Sequence, residues 1–94
     1  MPGRRRGGWM IGKDDSLLEY LRDIHPSAEP PAVIHFNMTE RGLADHSIDT
    51  TRRRLSKLEE HGLSEIAYEK GAYHRITQDG LDYLDGDFDV SQVS

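Results

Sequence analysis

Four basic side chains are gathered on one short stretch, where Arg52, Arg53 and Arg54 are consecutive and Lys57 follows one helical turn after Arg53. A guanidinium group carries its N–H donors in a planar fork, which matches a phosphate or the edge of a guanine base. Consecutive residues of a helix project about 100° apart, so three adjacent arginines cannot share one direction. We expect Arg53 and Lys57 to point outward together, while Arg52 and Arg54 spread to either side, where phosphates would lie.

Ser47, Asp49 and Thr50 stand just before these arginines, at the predicted N-terminal end of the same helix. In a helix that enters the major groove of DNA, this is the end that lies nearest the bases. The hydroxyl group of Thr50 can donate to a phosphate, and its methyl group can contact thymine. The carboxylate of Asp49 would instead repel phosphate or select the amino group of cytosine, so the bases that are read stay open.

A second group of candidate contacts lies at the predicted tip of a β-hairpin, where Lys70 and Gly71 form the turn and Arg75 follows on the returning strand. A lysine at such a tip suits a contact with a phosphate or with the minor groove. These residues complete the predicted set of DNA contacts. That set contains Ser47, Asp49, Thr50, Arg52, Arg53, Arg54, Lys57, Lys70, Gly71 and Arg75.

The spacing of apolar residues places the arginines on a helix that runs from about Ser47 to His61 and ends at Gly62. Glycine is the usual residue just beyond a helix C-terminus, because it adopts the left-handed conformation without strain. One face of this helix carries a stripe of residues suited to a core, and the basic residues lie on the opposite face. The stripe contains Ile48, Thr51, Leu55 and Leu58.

Five other elements are predicted around this helix. They are a helix from about Asp14 to Ile24, a short helix at Pro31–Phe36, strands at Leu63–Tyr68 and Ala72–Ile76, and a last short helix between Thr77 and Gly86. This order is that of an α+β winged helix-turn-helix, which has three helices, a two-stranded wing and a short C-terminal helix. The wing follows the third helix directly and would lie beside the same groove.

The chain has 94 residues, no cysteine and a formal net charge of −5. Its charge is unevenly spread, because residues 1–12 carry three arginines and no acid, whereas residues 78–94 carry five aspartates and no base. We expect a basic flexible arm over residues 1–8, one folded domain over 9–86 and an acidic, polar tail over 87–94. The net negative charge is therefore no strong argument against nucleic acid as a partner.

Several classes of protein are excluded or disfavoured. No apolar run approaches the roughly 18 residues of a membrane span, and no apolar segment follows the basic start as in a signal peptide, so we expect a cytoplasmic protein. No catalytic set is visible, and we expect neither an enzyme nor a cofactor. His35, His46 and Asp45 are the one grouping that could approach a metal ion, and we expect solvated histidines and no metal site there.

Four segments, at residues 17–21, 31–37, 51–63 and 71–84, follow one pattern. On these residues the chain resembles the small haloarchaeal winged helix-turn-helix transcriptional regulators that are similar to the repressor of the halophage phi-H. The resemblance covers about residues 9–89. The pattern from Arg52 to Leu63 is shared by many winged helices and therefore specifies the fold more than the target.

The resemblance implies sequence-dependent binding of double-stranded DNA and transcriptional regulation without a cofactor. We expect a repressor, with an activator as the open alternative, and no small-molecule ligand site is evident in the sequence. It carries the DNA-reading role onto the helix with Thr50 to Lys57 and onto the wing around Lys70 to Arg75. The alternative is a winged helix that docks on a partner protein. A homodimer is expected because one winged helix covers little DNA, with Tyr20, Tyr83 and Phe88 on its candidate dimer surfaces.

Overall fold

The computed structural model describes residues 3–92, and within them the chain forms four α-helices and one two-stranded antiparallel sheet. The remaining residues, 1–2 of the expected arm and 93–94 of the expected tail, lie outside the described residues. The elements are α1 (Gly12–Ile24), α2 (Pro31–Glu40), α3 (Ile48–Glu60), β1 (Ser64–Tyr68), β2 (Tyr73–Ile76), α4 (Gln78–Leu84) and a final 3-10 turn (Val90–Gln92).

Local signals explain where three of the helices begin. The hydroxyl of Ser47 accepts a hydrogen bond from the backbone N–H of Thr50 at 3.2 Å, which caps α3. In the same way, Thr77 accepts from the N–H of Gly80 at 3.1 Å and caps α4. Pro31 occupies the first position of α2, where its missing N–H has no consequence. These three helix starts confirm the predicted ones.

The wing is a hairpin whose two strands pair Glu65 with Arg75 and Ile66 with His74, with a bulge before Tyr68. A third segment is attached to it. The backbone of Glu29, in the loop before α2, donates to the carbonyl of His74 at 3.1 Å and accepts from its N–H at 2.8 Å. The wing is therefore held along β2 by the segment that leads into α2.

The core lies between the four helices and the base of the wing. Its fully buried members include Leu17 and Leu21 of α1, Leu55 and Leu58 of α3, and Tyr83 of α4. Gly80 lets α4 approach the wing, because a Cβ atom at this position would lie 2.3 Å from the carbonyl oxygen of Leu63. The order and packing of the elements confirm the expected α+β winged helix-turn-helix fold.

The start of the chain packs more closely than the expected flexible arm over residues 1–8. Arg4 pairs with Glu19 of α1 and donates to the carbonyl of Leu84, while Arg6 pairs with Asp15. Trp9 then stacks on the ring of His61 at the end of α3, with 4.1 Å between ring centroids. The sequence shows that this segment is basic, but it does not show that the arginines form ion pairs with carboxylates of α1.

The end of the chain also departs from a purely polar tail over residues 87–94. Val90 is 1% exposed and belongs to the core, and its N–H donates to the carbonyl of Arg5 at 3.0 Å. Asp89 lies 3.8 Å from the guanidinium of Arg5. The two ends of the chain therefore lie side by side, because one apolar residue and one ion pair hold the last turn against the first residues.

Candidate nucleic-acid interface

The outward face of α3 carries two basic side chains one helical turn apart. Thr51, Leu55 and Leu58 face the core and are fully buried, so Arg53 and Lys57 on the opposite side are exposed. The guanidinium of Arg53 donates to the hydroxyl of Thr50 at 3.2 Å, which holds it over the N-terminal half of the helix. This is the geometry that the spacing of the sequence predicts for these two cations.

Arg52, next to Arg53 on α3, forms only a weak ion pair. Its guanidinium is 3.6 Å from the carboxylate of Asp49, and the two side chains are 57% and 77% exposed. Exposed ion pairs of this kind contribute about 0–1 kcal/mol to stability, because solvent screens them and both side chains lose entropy. Arg52 can therefore exchange this carboxylate for another anion at little cost.

Ser47 and Thr50 serve first as parts of the helix start. The hydroxyl of Ser47 accepts from the N–H of Thr50 and lies 3.2 Å from its hydroxyl group. Thr50 in turn accepts from Arg53. The two hydroxyl groups thus form a short polar row at the N-terminal end of α3, next to the exposed carboxylate of Asp49.

Arg54 lies elsewhere than expected. Its guanidinium donates to both carboxylate oxygens of Asp14 on α1, at 2.8 and 2.6 Å, and to the carbonyl of Trp9 at 3.0 Å. Asp14 is fully buried, Arg54 is 17% exposed, and the hydrogen bonds to Asp14 raise the pKa of Arg54. Arg54 therefore ties α3 to α1, and the expectation that it flanks the helix toward phosphates is not met.

The tip of the wing lies on the same side of the molecule as Arg52. A cleft of about 490 Å³ separates α3 from the wing, with Arg52 and Ser56 on one wall and Gly71 and Ala72 on the other. Gly71 has a φ of +93°, a conformation that glycine adopts without strain, and it leaves room for the tight turn. Lys70 beside it is exposed. The fold thus brings one predicted helix contact, Arg52, and one predicted wing-tip contact, Gly71, to the two walls of the same cleft.

Arg75 does not join this group. Its guanidinium donates twice to the carboxylate of Glu65, directly across the sheet, at 2.9 and 2.6 Å. Neighbouring residues of a strand point to opposite faces, and it is His74 that lines the cleft. Arg75 therefore lies on the outer face of the wing, in a cross-strand ion pair, because the register of the hairpin places Glu65 opposite it.

Two polar residues that line the cleft, Ser56 and His74, are absent from the set of contacts predicted from the sequence. Ser56 is exposed on α3, one turn after Arg52 and on its side of the helix, a position that the helical spacing could have shown. His74 is 5% exposed, and its Nδ1 atom has no hydrogen-bond partner within residues 3–92. Burial lowers the pKa of this imidazole, with an opposing effect from Glu59. No local signal distinguishes a buried histidine from an exposed one on a strand.

Two of the three residues expected on dimer surfaces belong to the core. Tyr20 is 1% exposed and donates its hydroxyl to Glu29 at 2.6 Å, while Tyr83 is fully buried and donates to Asp15. Phe88 is partly buried against the core. Tyr20 and Tyr83 therefore cannot be the contact residues of a dimer surface, because both rings fill the interior.

Two further observations concern other kinds of site. His35 and His46 come close, with the Nε2 atom of His35 2.9 Å from the carbonyl oxygen of His46. Across residues 3–92, no group of three or more metal-ligating side chains comes together in a way that could hold a metal ion. In the same span, no helix is both long enough and apolar enough to cross a membrane.

No family model matches the chain, and no curated protein matches it. Among solved structures, it is similar to the crystal structure of the PhiH1 repressor-like protein from Haloarcula marismortui, with a TM-score of 0.81 and 27% sequence identity. The match covers 99% of this chain and 97% of that chain. The likeness therefore extends over the whole winged helix-turn-helix fold and supports the resemblance that the sequence shows to the phi-H repressor group.

Proposed function

We propose that this protein is a sequence-dependent DNA-binding transcriptional regulator that acts as a repressor. In this proposal α3 enters the major groove, and the tip of the wing contacts the phosphate backbone or the minor groove. The protein acts by binding alone, without catalysis or a cofactor, in the cytoplasm where the DNA is accessible. The likeness to a repressor-like protein over nearly the full length of both chains supports this class of function.

One observation carries the proposal. Arg53 and Lys57 point outward from α3 one turn apart, and within residues 3–92 neither of them forms an ion pair with a carboxylate. Seven of the eight other arginines form an ion pair within residues 3–92, so two unpaired cations on one helix face stand out in this acidic chain. Arginine bonds bidentately to guanine, and lysine suits a phosphate. Arg52 lines the cleft and Lys70 is exposed next to Gly71 of its other wall, and both are proposed as further phosphate contacts.

The proposed interface is smaller than the set of residues that the sequence suggests. It comprises Asp49, Thr50, Arg52, Arg53 and Lys57 on α3 with Lys70 and Gly71 on the wing, and Ser47 supports it as the helix cap. Arg54 and Arg75 are held by Asp14 and Glu65, so they act on the interface only by positioning α3 and the wing. Asp49 would select the amino group of cytosine and disfavour sequences that bring a phosphate close to it.

The overall acidity of the chain is compatible with this interface. At high salt the Debye length falls to about 3 Å at 1 M, so a diffuse positive field adds little and close, directed contacts dominate. Each phosphate contact adds about −0.9 to the slope of log affinity against log salt concentration. A small number of directed contacts gives a shallower slope than a basic surface would, which suits binding over a wide range of salt.

We further propose that the protein binds DNA as a homodimer. A single winged helix covers only about 600–1,000 Å² of its own surface on DNA, which limits affinity and the length of the sequence that is read. Two copies on a two-fold symmetric site double the contact surface and the length of sequence that is read, and the affinity rises far more than twofold. Tyr20 and Tyr83 cannot form the dimer surface, because both side chains are buried.

The test is a fluorescence-anisotropy titration of labelled duplexes, selected from a random library, at several salt concentrations. The wild-type protein should bind, and Arg53→Glu should abolish binding, because it places an acid where a cation meets the groove. Arg22→Glu is the matched control, since Arg22 is exposed on α1 and lies outside the proposed interface. Unchanged binding by Arg53→Glu, or no binding of DNA at any salt, would instead favour docking on a partner protein.

A further inference from the structure

The outer face of α2 is apolar and nearly uncharged in a protein where 31% of residues are charged. Phe36 is 61% exposed and Val33 is 40% exposed, which makes them two of the few large apolar side chains that face solvent. From Pro31 to Thr39 the helix contains no Asp, Glu, Lys or Arg, and Glu40 is its last residue. Neighbouring exposed apolar side chains of this size are typical of a surface that binds a partner, whereas single ones are common on any protein.

The face is nearly symmetric about Phe36. The exposed positions of α2 are Ala32, Val33, Phe36, Thr39 and Glu40, whereas Ile34 and Met38 point into the core. At 1.5 Å of rise per residue, Ala32 and Glu40 lie about 6 Å from Phe36 on either side along the helix axis. If two copies of the helix run antiparallel with a two-fold axis beside Phe36, Glu40 of each copy comes level with Ala32 of the other.

The charges at the two ends of α2 are complementary to each other. Its N-terminus has no acidic residue in the first turn and no side-chain cap, although this end carries the positive pole of the helix dipole. Glu40 stands at the negative pole, where an acid is unfavourable, and the C-cap residue Arg41 beside it is directed toward Asp23 of α1, 3.8 Å from its guanidinium. Antiparallel pairing places each Glu40 near the positive pole of the other helix, which removes both mismatches.

We propose that the occupant of this face is a second copy of the chain, packed antiparallel through α2 around a two-fold axis at Phe36. This inference rests on the proposed function for its purpose, because a two-fold dimer matches a two-fold symmetric DNA site. It assigns the dimer to a surface on which the sequence reading did not place it. The contact buries Phe36 and Val33 of both copies and brings Glu40 to the partner helix.

The size of the contact sets its strength. One pair of ten-residue helices buries less than the roughly 800 Å² per partner of a standard interface, so the dimer is weak in the absence of DNA. We expect self-association on the order of 100 µM, and cooperative binding once DNA holds two copies together. Because the contact is mainly apolar, sulfate salts should strengthen it, whereas phosphate contacts weaken as salt rises.

The first test uses the absence of cysteine from the chain. Phe36→Cys places a single thiol beside the proposed two-fold axis, so mild oxidation at about 100 µM protein should yield a disulfide-linked dimer. Leu43→Cys is the matched control, because Leu43 is 45% exposed and lies just outside α2. We expect crosslinking of the Phe36 variant to be at least about tenfold faster. Equal rates for the two variants would overturn the proposal.

The second test separates association from folding. Glu40→Lys improves the charge at the end of its own helix and removes the complement from the partner helix. Sedimentation equilibrium should show association weakened about five- to tenfold, while the urea midpoint stays equal or rises. Glu69→Lys, which makes the same charge change on the wing, should leave association unaltered. Unchanged association of Glu40→Lys would contradict the antiparallel arrangement.

The outcomes for DNA binding and for association are distinguishable. Rapid crosslinking of Phe36→Cys without any DNA binding would support this interface and contradict the proposed function. DNA binding by a protein that stays monomeric at 500 µM and on DNA would support the function and overturn this interface. If Phe36→Ser lowers DNA affinity in such a monomeric protein, the apolar face contacts DNA instead, and the dimer is likewise overturned.

Discussion

The guanidinium of Arg54 on α3 donates two hydrogen bonds, at 2.8 and 2.6 Å, to the fully buried carboxylate of Asp14 on α1. The same carboxylate accepts from the backbone N–H of Ile11 at 2.8 Å, and Arg54 also reaches the carbonyl of Trp9. One ion pair thus joins the start of the domain, the first helix and the helix proposed to read DNA. It holds α3 in place together with the core packing of Leu55 and Leu58.

Loss of this ion pair should destabilise the fold strongly. Arg54→Ala leaves the buried carboxylate of Asp14 without its counter-charge, and breaking a buried pair in this way costs about 3–5 kcal/mol. Arg52→Ala, which removes an exposed side chain two residues away, should change stability by less than about 0.5 kcal/mol. Urea unfolding followed by circular dichroism measures both, and similar losses for the two variants would show that the pair contributes little.

The salt dependence of DNA binding should identify the phosphate contacts. Lys57→Ala and Lys70→Ala should each weaken binding to all sequences and lower the magnitude of the salt slope by about 1, because each removes one phosphate contact. Lys13→Ala serves as the control, since Lys13 lies on α1. Anisotropy titrations over a range of potassium chloride concentrations give the slopes. A Lys70 variant with the wild-type slope would remove the wing from the interface.

Stability should fall as the pH drops below the ordinary pKa of histidine. Burial of His74 lowers its pKa in the folded state, while the unfolded chain titrates near 6.5. Neutral His74 therefore contributes its full share to the free energy of unfolding above about pH 6.5. This share is lost at lower pH, because the unfolded chain binds a proton at His74 more readily than the folded chain does. The loss is at most about 1.4 kcal/mol per pH unit.

His74→Gln tests this assignment. The pH dependence of its unfolding free energy between pH 7.5 and 5 should be shallower than that of the wild type. His46 also has a lowered pKa through burial, so His46→Gln should remove a separate part of the same dependence. If the profiles of the wild type and the His74 variant run parallel, His74 does not cause the acid sensitivity.

Gly80 should not tolerate even a methyl group. A Cβ atom there would lie 2.3 Å from the carbonyl oxygen of Leu63 and 2.6 Å from a side-chain carbon of Ile76. Although alanine favours helices by about 1 kcal/mol over glycine, we expect Gly80→Ala to destabilise the protein by at least about 2 kcal/mol. Gly12→Ala at the start of α1 meets open space and should be neutral or stabilising. Thermal melts of both variants check this contrast.

Periodicity was sufficient to predict α3 and the direction of its outward side chains. Leu55 and Leu58 fix which face is buried, and Arg53 and Lys57 are then exposed by geometry alone. The direction of Arg54 could not be obtained in the same way. Its position on the helix permits either a solvent-facing or an inward orientation, and the choice is made by Asp14, forty residues earlier in the chain.

Contacts across the sheet and with the start of the chain could not be predicted from the sequence either. Arg75 pairs with Glu65 because the register of the hairpin places them opposite each other. The hairpin also contains a bulge before Tyr68, which the residues of the turn do not predict. Tyr83 looks suited to a surface, yet its hydroxyl reaches Asp15 and its ring fills the core. Whether a tyrosine is buried depends on hydrogen-bond partners that are distant in the sequence, so the residue type alone predicts its burial poorly.

We expect the outward face of α3 and the tip of the wing to contact DNA together. An NMR titration of the ¹⁵N-labelled protein with a selected duplex measures this directly, residue by residue. We predict that the shifted amides concentrate at residues 47–57 and 69–72, with α1 and α4 nearly unchanged. Shifts confined to α1, α4 or the outer face of α2, or no shifts at low salt, would contradict the claim.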